Sequence, residues 1–180
     1  MDDFRPENAT CPVCGSTGNC HPHAYYDRFI IDCHGGTVSQ ERLHILRLYC
    51  TSCRHTHAVL PDFIIPYSTY GITFLLRVLL AYFTRSRSNA LRTVEEICCF
   101  FGISPRLLYR WLVLFVRHKY QWLGALCDSE TSESEFINGL SERDSFSEFL
   151  AAFFHRMGVS FLQNHRNPLQ ENPKGAHSDG

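Results

Sequence analysis

The chain has 180 residues, enough for one ordinary domain or two small ones, and its 44% apolar content permits a packed core. Its N-terminus, Met1-Asp-Asp-Phe-Arg-Pro, is acidic and lacks the apolar run of a secretory signal, and the longest apolar stretch, Ile72 to Phe83, carries Arg77 and falls short of the roughly 20 residues a membrane span needs. The nine cysteines are an odd count without a signal peptide, which argues against a secreted disulfide framework and for metal-bound thiolates in a reducing cytoplasm.

The formal net charge of −1 hides an asymmetry. Residues 1–60 hold five Arg and six acids, 61–127 hold eight Lys+Arg against three acids, and 128–180 hold four bases against nine acids, giving nets of −1, +5 and −5. A basic middle points to an anionic partner for that segment.

In chain order, the first signal is Cys11-Pro-Val-Cys14-Gly15, answered thirty-five residues later by Cys50-Thr-Ser-Cys53. Two close thiolate pairs suit a tetrahedral site for one zinc ion, with Cys11, Cys14, Cys50 and Cys53 as ligands. Such a site is closed to substrate, so it is structural, and it makes local folding metal-dependent. His55 and His57 are rival ligands, more simply read as packing beside the site. Cys20, His21, His23, Cys33 and His34 form a candidate second cluster, but their spacing fits no closed pattern.

Between the pairs, Gly15 to His23 reads as a polar loop and Tyr25 to Cys33 as a strand. His34-Gly-Gly-Thr37 reads as a tight turn, and Arg42 to Tyr49 as the return strand. Residues 8–60 are therefore expected to form a zinc ribbon. Pro61 and Pro66 mark a loop, and a helix largely buried on all sides runs from about Tyr70 to Thr84. Arg85 to Asn89 is a basic linker.

Two further helices carry their own boundaries. Thr93 and Glu96 make a capping-box pattern, with Val94, Ile97, Cys98 and Phe101 as a buried stripe. Cys98 and Cys99 both read as small buried residues. Gly102 ends the first helix, Ser104 caps the second, and Pro105 opens it. Leu108, Trp111, Leu112 and Phe115 repeat the stripe. This is a helix-turn-helix pattern. Its second helix would present Ser104, Arg106, Tyr109, Arg110 and Arg117 to double-stranded DNA.

Residues 61–127 thus form the helical helix-turn-helix domain. Residues 128–163 hold an acidic Ser-rich linker, Asp128 to Ser134, and one amphipathic helix from about Ser145 to Met157. That helix carries Phe146, Phe149, Leu150, Phe153 and Phe154 on one side. Residues 164–180 read as a disordered tail. The expected fold class is α+β, a zinc ribbon followed by a helical bundle.

The order of ribbon, Pro-flanked loop, apolar helix and "TVEEICCFFGISPRLLYRWL" resembles the N-terminal region of insertion-sequence transposases. It also resembles a family of short bacterial proteins of unknown function, through Cys50, Cys53, His57, Ala58, Leu60, Pro61, Pro66, Tyr67 and Ser68. The resemblance spans about residues 10 to 125. It implies a zinc-binding ribbon in front of a helix-turn-helix that binds DNA ends. Such transposases continue into a domain that holds three carboxylates on metal ions, and the residues left here offer no room for one.

No Gly-x-Ser-x-Gly, phosphate-binding Gly-rich loop or His-Glu-x-x-His occurs, so no enzyme is expected. The expectation is a DNA-binding protein of transposase type without a catalytic domain, cytoplasmic and nucleoid-associated, with no membrane partner. A homodimer is compatible with it. The competing reading is a protein-interaction adaptor that uses the ribbon and the Phe-rich C-terminal helix.

Overall fold

The structure is a computed structural model, and it describes residues 5–34, 37–61, 63–86, 93–124, 131–141 and 146–163. The expected Gly-Gly turn, most of the basic linker, Cys127, the start of the acidic linker and the 164–180 tail lie outside the described residues. The fold is α+β, with a three-stranded antiparallel sheet and five α-helices among the described residues. A short 3-10 turn, Pro6–Asn8, precedes the sheet.

The sheet order is β1-β2-β3. Strand β1 is Cys20–His34 and β2 is Thr37–Cys50, both longer than their alternation predicts. The His-Pro-His start of β1 has no apolar alternation to mark it, and it extends as strand because β2 offers a partner. Strand β3, Thr56–Ala58, is too short to leave a periodic trace. It pairs antiparallel with β2 in the register Arg47↔Ala58, Leu48↔His57, Tyr49↔Thr56.

The described residues fall into two compact units, 5–28 with 42–60 and 29–41 with 61–163. The first has a small core of Cys11, Cys20, Leu48 and Cys50, flanked by Ala9, Val13, Leu46, Cys53 and Val59.

The second unit is built on helix α1, Ile72–Thr84, which packs on α2, α3 and α4. Six of its residues, Ile72, Phe74, Leu75, Leu76, Val78 and Leu79, are buried, while Arg77 faces out. Its start is fixed from a distant strand. Ile31 bonds the 69–71 backbone on both sides, with Ile31 N–H donating to Thr69 O and Gly71 N–H to Ile31 O, each at 2.8 Å. Asp32 is buried, and its Oδ1 accepts the amides of Cys33 and Phe74 at 2.8 Å each. Phe74 is the third residue of α1, so Asp32 does the work of an N-cap where the local position is glycine. A Cβ on Gly71 would lie 2.1 Å from Asp32 Oδ2, which explains why no side chain stands there.

Helices α2 (Val94–Phe101), α3 (Pro105–Gly124), α4 (Glu133–Ser141) and α5 (Phe146–Met157) complete this core. Helix α4 replaces part of the expected linker. Its Phe136, Ile137 and Leu140 are buried, and Lys119 Nζ of α3 meets Glu133 Oε1 at 3.1 Å. One residue expectation is corrected. Cys98 is buried but Cys99 is exposed, because it sits about 100° further round the helix. On α5, Phe149, Leu150 and Phe153 enter the core, while Phe154 stays 51% exposed for the same reason.

Candidate metal centre and basic helix face

The two Cys-x-x-Cys segments fold into matching knuckles. Cys11 N–H donates to Ser16 O, and Gly15 N–H returns to Cys11 O, both at 2.9 Å. Cys50 N–H donates to His55 O, and Arg54 N–H returns to Cys50 O, again at 2.9 Å. The residue after each second cysteine is left-handed, Gly15 at φ +70° and Arg54 at φ +62°. Glycine adopts that geometry freely, whereas arginine is strained by roughly 1–2 kcal/mol. The knuckles also meet directly: Thr51 N–H donates to Asn19 O at 3.0 Å, and the Ser16 and Ser52 hydroxyls lie 3.2 Å apart.

This geometry brings the four sulfurs together. Cys11 and Cys53 Sγ are 3.6 Å apart, Cys14 and Cys50 Sγ are 3.7 Å apart, and all four lie within 4.8 Å of one another. A disulfide needs about 2.05 Å, so these are free sulfurs. Metal–sulfur bonds of about 2.3 Å in a tetrahedron set sulfur–sulfur edges near 3.8 Å, and the two close pairs match that edge. The set therefore fits one tetrahedral metal ion.

Without a cation, Cys50 and Cys53 titrate far apart. The Cys53 and Ser52 amides help hold the Cys50 thiol down at about 6, the Cys53 amide contributing most. Burial pushes Cys53 up to about 12, and the three neighbouring sulfurs add to the rise. A divalent ion supplies the charge that reverses this.

The rival ligands stand aside. His55 Nδ1 lies 2.8 Å from Cys53 O, and His57 Nε2 lies 3.8 Å from Cys20 Sγ. Burial lowers the pKa of His57. Cys20 is fully buried in the small core with Cys11 and Cys50, a neighbour of the centre that spacing alone did not reveal. Cys33 receives Arg77 Nη1 at 3.3 Å. Among the described residues only Cys11, Cys14, Cys50 and Cys53 gather as a metal-ligating group, so the alternative cluster around Cys20 and Cys33 does not form there.

In the second unit, α2 begins in a full capping box. Glu96 N–H donates to Thr93 Oγ1 at 3.1 Å and Thr93 N–H to Glu96 Oε2 at 2.9 Å. It ends at Gly102, left-handed at φ +64°, with Ile103 N–H reaching back to Cys98 O at 3.0 Å. That closure is a Schellman turn with buried Ile103 as its apolar contact. Ser104 Oγ then accepts Leu107 N–H at 3.3 Å, and α3 leaves at 101° to α2.

Leu108, Trp111, Leu112 and Phe115 of α3 are buried, and Tyr70 packs edge-on to Trp111 at 5.1 Å. The opposite face exposes Arg106, Tyr109, Arg110, Val113, Arg117 and Tyr120, and Ser104 is exposed in the turn that precedes the helix. Four of the five residues expected to touch DNA thus share one helix face, and Ser104 lies at the N-terminal end of that helix. Arg106, Arg110 and Arg117 have no ion pair among the described residues. Val113 and Tyr120, 62% and 54% exposed, extend that surface beyond what the sequence singled out. No single described helix is long and apolar enough to cross a membrane.

No curated protein and no solved structure matches the chain. Residues 11–95 match the model of a domain of unknown function (DUF6431). The match opens on the first ligand cysteine, contains all four, and stops in the first turn of α2, short of the exposed arginines.

Proposed function

We propose that the chain is a zinc-stabilised DNA-binding protein of transposase type, and that α2 and α3 act as a helix-turn-helix with α3 in the major groove. One observation carries this reading. A helix set at 101° after a three-residue Gly-containing turn exposes Arg106, Arg110 and Arg117 on one face, with no ion pair among the described residues. That crossing angle lies within the range of the motif, whose second helix contacts bases near its N-terminus. Such arginines can take guanine edges or phosphates.

The ion is zinc, because four thiolates in a closed tetrahedron are its usual structural set. Its role here is to hold the ribbon. The resemblance to transposases rests on the motifs quoted above. Burial of Phe149, Leu150 and Phe153 removes most of the apolar face that an adaptor would offer. The test is a mobility-shift titration of the zinc-loaded protein on duplex DNA. Arg106→Ala and Arg110→Ala should each weaken binding by about 1–3 kcal/mol where the side chain reads a base. Absence of any duplex binding at low salt sinks the proposal.

A further inference from the structure

A second surface lies wholly within the first unit, on one face of the β1–β2 hairpin. His23, Tyr25 and Asp27 alternate along β1 and so share a side. Tyr25 is 60% exposed and lies parallel to the His44 ring, with centroids 4.9 Å apart and planes within 6°. His23 and Tyr49 form a second ring pair at 5.8 Å. Asp27 is the one carboxylate in this group, and it is held by Arg42 and by His44 Nδ1 at 2.8 Å. Across the described residues of the unit, five arginines face two carboxylates. The arginines remain in excess after the two negative charges that four thiolates around a divalent ion would leave.

We infer that this face binds single-stranded nucleic acid. The Tyr25–His44 pair is a flat platform with an open outer side, and stacking on aromatic rings accepts any base. Duplex DNA keeps its base faces inside the helix, so the platform selects an unpaired strand. Arg42 lies beside the platform, and its pairing with Asp27 leaves this face without an uncompensated negative charge to repel phosphate. The exposed residues 21–26, His-Pro-His-Ala-Tyr-Tyr, include no Leu, Ile, Val or Met that would anchor a protein-docking face. This inference does not depend on duplex binding by α3.

The test uses the full-length, metal-loaded protein and fluorescein-labelled oligothymidylate, read by anisotropy at low salt. Tyr25→Ala should weaken binding by roughly 5- to 100-fold. Tyr25→Phe should retain it. Metal content and circular dichroism show that the variants are folded. Oligothymidylate binding that is absent, or that Tyr25→Ala leaves as it was, overturns the inference. It does so without touching the α3 reading, whose own test uses duplex DNA and Arg110→Ala.

Discussion

Asp32 and His118 are both buried and polar, and each accepts a backbone amide from a distant part of the chain. The Asp32 carboxylate accepts two amides, one of them 42 residues away at the start of α1. Asp32→Ala strands the Phe74 amide in the core and should cost about 1–3 kcal/mol in urea denaturation. His118 is 4% exposed, packs on Phe153 and Phe161, and accepts Leu162 N–H on Nδ1 at 3.0 Å. Burial, with Arg117 adding to it, pushes its pKa down from 6.5 to about 4. Between those values the unfolded chain binds the extra proton. Stability is therefore fully present above about pH 6.5, falls as pH drops, and levels off below about 4, a loss on the order of 3 kcal/mol. His118→Asn keeps an acceptor near Nδ1, so denaturation midpoints followed over this range should flatten relative to wild type. Neither role was legible in the sequence, because each partner is more than forty residues away and no local pattern encodes it.

Elements whose boundaries are local were legible. Thr93, Glu96, Gly102, Ser104 and Pro105 sit within thirteen residues, and their caps form as written. The knuckles were legible for the same reason, since each pair closes its own turn. Helix α4 was not, because Glu133–Ser141 lies in an acidic Ser-rich stretch with three buried apolar residues, and packing against α1 and α3 decides its state. That packing includes Lys119, whose side chain is 3% exposed and whose ammonium is balanced by Glu133. Removing Glu133 leaves a buried charge, so Glu133→Gln should destabilise by about 2–4 kcal/mol, reduced from the fully buried case because Glu133 is partly open to water. Adding Lys119→Met should recover most of the loss. A double-mutant cycle that shows no coupling would refute this account of the α3–α4 contact.

For the whole molecule, charge and metal carry the functional reading. The +5 of residues 61–127 includes the three exposed arginines of α3, which gives the sequence asymmetry a definite surface. Four thiolates around one ion would leave it no open position, so removing the ion should act through stability. Chelation should abolish hydrogen-exchange protection in residues 42–60 while α1 and α3 stay protected, a pattern readable by mass spectrometry. The central claim is sequence-specific duplex recognition by α3. Its most direct test is selection of bound duplexes from a random pool by the zinc-loaded protein, repeated with Arg110→Ala. The account predicts one enriched sequence for the wild type, with preference relaxed at a single position in the variant. A pool that stays random for both proteins would contradict it.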